Sequence, residues 1–370
     1  MNEMQDRLDP AQWDAVPGKW NSDEDDVLVC THVRAETHDV KSFLFRTPTA
    51  KLFRFRPGQF ITLELEIDGE TINRCYTMSS SPTRPDTLSI TVKRVPGGKV
   101  SNWLHDNLKA GVAIKAFGPS GEFSCTLHAA PKYLFLSGGS GVTPLMSMSR
   151  ALYDLGEDRD VVFVHSARTP RDIIFRNELA TMAHGMNRFR TAFVCENIGE
   201  QRDWSAPTGF LTLPLLKSIV PDLSEREIFC CGPEAYMANI RAMLASAGFD
   251  MTRYHEESFS FERLSSVEKE EVQEAVAAAS VPSVGFKIEF TKSGRTIDCR
   301  PDQFILEAAK AAGLRLPFSC SKGVCGTCKS KKVDGQVVMT HGGGIRQREI
   351  DAGMILICCS KPLSDVTIEK

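Results

Sequence analysis

The sequence predicts a multidomain chain: an antiparallel β-barrel, then a doubly wound α/β domain, then a small third domain built around a cysteine loop. Three observations predict it. Short strand-like runs broken by Pro and Gly come first, β and α stretches then alternate, and Cys320, Cys325, Cys328 and Cys358 gather near the end. At 370 residues the chain is also too long for one hydrophobic core.

Composition narrows the function classes. Hydrophobic residues make up 42% and charged residues 25%, and the mean hydropathy is -0.18, values of ordinary globular proteins. A formal net charge of -3 excludes a strongly basic nucleic-acid binder. No run of about eighteen apolar residues occurs, so no membrane span is expected. Residues 1–16 show no basic region followed by an apolar run, so no secretory signal is expected either, and a cytoplasmic setting follows. Twelve cysteines in such a setting serve as metal ligands, reactive thiols or small buried residues rather than disulfides.

The elements follow in order. Residues 1–26 are polar and end in NSDEDD, which predicts a flexible tail. Residues 27–127 carry VLVCTHV, SFLFRT, QFITLELEI, RCYTMSS, TLSITVKRV and VAIKAF between turns such as RPGQ and VPGG, the pattern of a small barrel with one helix, SNWLHDNLKAG. Residues 128–262 alternate the apolar runs KYLFLS, DVVFVHSA, RFRTAFVCE and REIFCCGP with helical stretches, which builds a parallel sheet covered on both faces. Residues 263–283 are rich in Glu and Ala and read as a linker. Residues 284–370 begin with a hairpin and the helical FILEAAKAAG, then enter the cysteine loop.

The cysteine spacing names a chemistry. Cys320, Cys325 and Cys328 form C-x4-C-x2-C, with Cys358 downstream, the plant-type spacing for a [2Fe-2S] cluster. A structural zinc site also takes four thiolates, but zinc ribbons favour two short C-x2-C pairs. Gly323 and Gly326 allow backbone N–H groups to approach cluster sulfurs.

Two further stretches suit a flavin. Arg74-Cys75-Tyr76-Thr77 ends a strand and offers a guanidinium for phosphate, an aromatic ring to pack on the ring system, and a hydroxyl near its reactive nitrogen. Gly97-Gly98-Lys99-Val100-Ser101 opens a helix, whose N-terminus suits a phosphate. Either alone also fits an exposed strand or an ordinary capped loop.

Dinucleotide chemistry is expected after the next strand. Gly138-Gly139-Ser140-Gly141-Val142-Thr143 lets a pyrophosphate approach the backbone at a strand-to-helix turn, with Thr143 beside it. Cys231-Gly232-Pro233 ends the last strand of that block; Cys231 and Cys230 point to opposite faces. The tip of VVFVHSARTPRD carries Arg168 and Arg171 and no acidic ribose partner, so the residues alone admit NADPH as well as NADH.

Together, R-x-Y-[ST], G-x-x-S, the Gly-rich turn, C-G-P and Glu257-Ser258-Phe259 resemble, in order, the ferredoxin-NADP reductase family. The loop PFSCSKGVCGTCK and the tail ILICCSKPLSDVTIE resemble plant-type ferredoxins, which implies a β-grasp third domain; aligning Pro362 selects Cys358 over Cys359 as fourth ligand. The resemblance implies Thr77, Cys231 and Glu257 at the reacting rings, with Arg74, Tyr76, Gly98 and Ser101 holding FAD (FMN being the alternative). It places Gly138, Gly139, Gly141, Thr143, Gly232 and Pro233 at NADH.

A nicotinamide gives two electrons as hydride and a [2Fe-2S] cluster takes one at a time, so the domain order reads as a path from NAD(P)H through flavin to cluster to an acceptor. The stretches ELEIDGETINRCYTMSSSP and HGGGIRQREIDAGMILICCS resemble the reductases of glycine-betaine and related quaternary-amine demethylating monooxygenases, and are also similar to hybrid-cluster-protein reductases. The implied partner is a Rieske-type oxygenase.

Overall fold

The computed structural model describes residues 17–22, 24–258, 285–314, 316, 318, 323, 326, 328–342 and 344–370. The first sheet is made of β1 (Val27–Ala35), β2 (Val40–Arg46), β3 (Phe60–Ile67), β4 (Glu70–Thr77), β5 (Leu88–Lys93) and β6 (Ala113–Ser120). Its order is β4-β3-β6-β1-β2-β5, with every pairing antiparallel. A bridge from Met78 to Ile90 and a hydrogen bond from Ser79 N–H to the Ser89 carbonyl (2.8 Å) join the edge strands β4 and β5 into a barrel. Alternation drives this: Leu28 and Cys30, Phe43 and Phe45, and Leu63 and Leu65 all point into one buried group. Helix α1 (Lys99–Asn107) covers it through Val100, Leu104 and neighbouring Leu108.

The expected tail 1–26 needs correction at its C-terminal part. Gly18–Lys19 pairs in parallel with Lys51–Leu52, and Trp20 is 4% exposed inside the barrel core, its ring 5.3 Å from Phe53. A large aromatic side chain with its N–H satisfied by the Asp25 carbonyl (2.8 Å) is more stable buried than in water, so this polar stretch is part of the barrel.

The second sheet is parallel: β7 (Lys132–Gly138), β8 (Asp160–Ala167), β9 (Phe189–Cys195), β10 (Glu227–Gly232) and β11 (Tyr254–Ser258), in the order β9-β8-β7-β10-β11. Helix α2 (Val142–Leu155) follows β7, α3 (Arg176–Gly185) follows β8 and α4 (Glu234–Ser246) follows β10. One face packs Phe135, Phe163 and Phe229 under α2; the other packs Leu134, Val164 and Ile228 under α4. Helix α3 begins only at Arg176, after Phe175 has taken a left-handed conformation (φ 59°). Strand β11 extends the sheet beyond the four strands read from the sequence.

Helix α2 also ties this unit to the barrel. Ser147 donates to the Ser80 carbonyl (2.7 Å), Arg150 donates to the Ser79 carbonyl, and Arg84 donates to Asp154 (3.0 Å). The barrel segment just beyond β4 is thus held by the helix that leaves the Gly-rich turn.

The third sheet contains β12 (Phe286–Phe290), β13 (Arg295–Cys299), β14 (Lys329–Asp334), β15 (Met354–Leu356) and β16 (Val366–Glu369), in the order β13-β12-β16-β14-β15. A short helix, α5 (Ile305–Ala311), packs Ile305, Leu306 and Ala309 on the sheet, the layout of a β-grasp. Residues 1–16 and the expected linker 263–283 lie outside the described residues.

Candidate functional site: two adjoining clefts and a cluster loop

Between barrel and parallel sheet lies a cleft of about 500 Å³. Its wall contains Arg74, Tyr76 and Thr77 from β4, Thr91, Val92 and Lys93 from β5, Gly98 and Ser101 from the start of α1, and Thr143, Gly232 and Pro233 from the nucleotide unit. The local sequence explains the convergence. Strands β4 and β5 meet at the barrel seam, so their ends face one opening. Helix α1 starts at Gly98 with no side-chain cap, which leaves its first N–H groups at the wall. Ser101 lies inside the helix; its hydroxyl accepts from Val95 N–H (3.1 Å) and donates to the Gly98 carbonyl (3.3 Å).

The chemistry of this cleft fits a flavin. Thr77 Oγ1 and Glu257 Oε2 are both buried and have no hydrogen-bond partner among the described residues. Most buried polar atoms in proteins find a partner, so Thr77 at the wall, with Glu257 behind the lining, suits a ring edge with its own donors and acceptors. Burial raises the Glu257 carboxyl from 4.5 to about 8, against a small downward pull from the Thr77 hydroxyl, so it holds its proton at neutral pH.

A second cleft, of about 580 Å³, opens at the carboxyl ends of β7 and β8 beside the point where the strand order reverses. Gly138, Gly139, Arg168, Asp172, Tyr236 and Asn239 line it, together with Asp39 from the barrel and Phe210, which is 74% exposed. Lys93, Pro233 and Ala235 belong to both walls, so the clefts adjoin. Gly139 (φ 53°) turns its backbone into open space, as an approaching pyrophosphate needs.

Cys231, Gly141 and Glu257 line neither cleft. Cys231 is fully buried in an apolar group with Phe135 and Phe229, which pushes its thiol well above the ordinary range, while Cys230 packs on the opposite face. A Cβ on Gly141 would lie 2.2 Å from the Cys231 carbonyl oxygen, so this glycine permits close helix–strand packing. Only Gly232 and Pro233 of the C-G-P motif reach a wall. Sequence reading missed Asp39, Lys93, Phe210 and Asn239 as lining residues: they come from four separate stretches with no shared pattern.

Of the four expected iron ligands, Cys320 and Cys325 lie outside the described residues. Cys328 and Cys358 are 2% and 4% exposed and share one buried group with Cys359. The Cys359 thiol donates to the Leu356 carbonyl (3.5 Å) and faces Gly323 of the loop. Two buried thiols at the base of a Gly-containing loop suit a thiolate-held cluster. The loop itself touches the barrel: Asn73 donates to the Gly326 carbonyl (3.4 Å), one residue before Arg74.

Comparison with known proteins matches three families: an oxidoreductase FAD-binding domain over residues 28–125, an oxidoreductase NAD-binding domain over 135–242 and a 2Fe-2S iron-sulfur cluster binding domain over 288–363. The glycine betaine monooxygenase reductase subunit of Pseudomonas aeruginosa is 48% identical over 343 residues, covering 92% of this chain and 94% of that one. The stachydrine N-demethylase reductase subunit of Rhizobium meliloti is 44% identical over 342 residues, covering 92% and 96%. Among solved structures, phthalate dioxygenase reductase superposes with a TM-score of 0.57 at 22% identity, covering 95% of this chain and all of that one, a likeness of fold. No helix among the described residues is long and apolar enough to cross a membrane.

Proposed function

The chain belongs to the family of oxidoreductases that join FAD-binding, NAD-binding and 2Fe-2S domains, together with the reductase subunits of glycine betaine and stachydrine demethylation, and from that premise we propose its place in catalysis. It carries electrons from NADH through FAD and a [2Fe-2S] cluster to a Rieske-type oxygenase that N-demethylates a betaine-like quaternary amine. The reading is carried by one arrangement: a nucleotide cleft adjoins a flavin-sized cleft through Lys93, Pro233 and Ala235, and the cluster loop rests on the strand that walls the second.

When bound, the flavin takes a hydride and yields electrons singly, which links a two-electron donor to a one-electron cluster. The chain's residues supply placement. Arg74 and the N-terminus of α1 at Gly98 and Ser101 hold phosphate charge, Tyr76 packs on the ring, and Thr77 with protonated Glu257 holds a proton at its polar edge. Gly138, Gly139, Gly141 and Thr143 take the dinucleotide pyrophosphate, while Cys231, Gly232 and Pro233 stand at the nicotinamide end. Cys320, Cys325, Cys328 and Cys358 hold the irons. We assign residues 27–127, 128–262 and 284–370 to the three domains, joined by a linker at 263–283. The setting is the cytoplasm, and no nucleic acid is involved.

The test mixes purified holoprotein, NADH, oxygen and a purified Rieske component with candidate betaines. Oxygen-dependent release of formaldehyde supports the reading; a colourless, zinc-containing protein that NADH does not reduce ends it.

A further inference from the structure

Arg346 stands at the boundary between the third domain and the barrel, yet it is only 5% exposed. Its guanidinium carbon lies 4.5 Å from the centroid of Phe117, a barrel residue on β6 that is itself 1% exposed. Nη2 donates to the Ala116 carbonyl (3.5 Å) and lies 3.6 Å from Asp26; Nη1 lies 3.7 Å from Glu64. Two neighbours repeat the pattern. Arg348 pairs with the same Asp26 (2.6 Å), and Lys329 Nζ sits 5.1 Å from the same Phe117 ring.

These contacts surround Gly326. Its φ is 72°, and a Cβ there would lie 2.7 Å from the Gly344 carbonyl oxygen, 3.1 Å from Asn73 Nδ2 and 3.1 Å from the Phe117 ring. The cluster loop therefore meets the flavin-motif strand backbone-first, at a point where the side chain of Phe117 touches both Gly326 and Arg346.

A buried ion pair contributes little net stability, because desolvation offsets most of the Coulomb gain. An apolar patch of the same size would join the faces as firmly. What a planar guanidinium stacked on a ring and shared between carboxylates adds is a fixed register, which greasy contacts leave free to slide. Among the described residues the Arg346 Nε is buried without a partner, a cost consistent with a residue kept for its position.

We propose that Arg346 is a positioning residue for internal electron transfer: stacked on Phe117, it fixes the cluster loop at Gly326 against Asn73 of the strand that walls the flavin cleft. The inference rests on the electron path proposed above. With both groups bound, this contact would set the path along which the two electrons of one hydride equivalent pass singly from flavin to cluster and on to the external acceptor, with one proton released.

The test uses holoprotein carrying Arg346→Met, with Phe117→Leu as a second, milder variant and Arg346→Lys to keep the charge without the planar stack. NADH-to-ferricyanide turnover reads the flavin, NADH-to-cytochrome c turnover reads the cluster, and hydrogen exchange of Glu70–Thr77 and Ala113–Ser120 reads the interface. Because small misplacements of reacting groups are costly, Arg346→Met is expected to lower cytochrome c reduction roughly tenfold or more while ferricyanide reduction stays within about twofold. Exchange protection should fall in those two strands alone, and Arg346→Lys should recover only part of the loss. Wild-type cytochrome c rates in Arg346→Met, unchanged protection, or full rescue by lysine would each overturn the proposal. If wild-type protein itself fails to reduce cytochrome c, the electron path falls, and hydrogen exchange still decides whether Arg346 holds the domains together.

Discussion

Cys231 and Glu257 are register partners on the neighbouring parallel strands β10 and β11, and their row continues through Ser137 on β7 to His165 on β8. Four polar side chains thus lie side by side above an aromatic layer of Phe135, Phe163 and Phe229. Ser137 Oγ and His165 Nδ1 are bonded at 2.7 Å, and Glu257, at the other end of the row, lies beside the barrel, its Oε1 3.9 Å from where a Cβ on Gly121 would stand.

That position predicts a pH profile. A carboxyl raised from 4.5 to about 8 binds more protons folded than unfolded across that interval, so its contribution to stability is full below pH 4.5 and declines as pH rises towards 8. Turnover that needs the proton should fall above about pH 8 for the same reason. Glu257→Gln should remove that alkaline limb from kcat; an identical limb in the variant would assign it to another group.

The cluster makes a sharper demand. The Cys359 thiol donates a hydrogen bond to the Leu356 carbonyl, whereas Cys358 is expected to be the iron ligand. Cys359→Ser should therefore keep two irons per chain and the visible circular dichroism of a [2Fe-2S] centre. Cys358→Ser should lose both. The reverse pattern would move the ligand by one position.

Two glycines of one turn should fail differently. Gly141→Ala forces a methyl to within 2.2 Å of the Cys231 carbonyl oxygen, and overpacking of this kind costs about 1–3 kcal/mol or more, so the melting temperature should drop clearly. Gly139→Ala meets open space and bears only left-handed backbone strain, about 1–2 kcal/mol. It should weaken NADH binding more than it lowers stability. Equal effects on both readouts would show that the turn acts as one packing unit.

Nucleotide choice should follow the charges around Arg168. Its guanidinium lies 3.4 Å from both Asp39 and Asp172. Burial pushes the Asp39 carboxyl up, but the Thr37 hydroxyl, Lys93, His38 and Arg168 outweigh it and hold its pKa below the ordinary value. An arginine already claimed by two carboxylates is a poor receptor for a 2'-phosphate, so kcat/KM should favour NADH. Asp39→Asn should narrow the preference about fivefold or more, since one charge near a solvated cleft is worth about 1 kcal/mol and this carboxylate is half-buried. A preference for NADPH in the wild type would refute this.

Motifs were legible where local geometry and chemistry coincide. Arg74, Tyr76 and Thr77 share one strand end, and Gly138 and Gly232 end adjacent parallel strands, so short sequence patterns carried the first three to one wall and the two glycines to the walls of adjoining clefts. Asp39, Phe210 and Asn239 were not legible, because their meeting depends on how two domains lie together. The same holds for Asn73 and Gly326, 253 positions apart, and for Trp20, whose burial outweighs the polar stretch around it. Ser101 shows the limit within a motif: its position in a glycine-led helix start was readable, its bonds to Val95 and Gly98 were not.

The barrel seam at Met78 and Ile90 has a thermodynamic corollary. Strands β4 and β5 share one bridge there, against the full ladders elsewhere in the sheet, and Thr77 and Thr91 on either side of it both face the flavin cleft. A ligand lying across that gap binds the closed barrel and not the open one, so occupancy and folding are coupled. Flavin release should thus be felt as a loosening of β4 and β5, and the midpoint of thermal unfolding should climb with free FAD concentration, making the cofactor a stitch in the fabric as well as a relay.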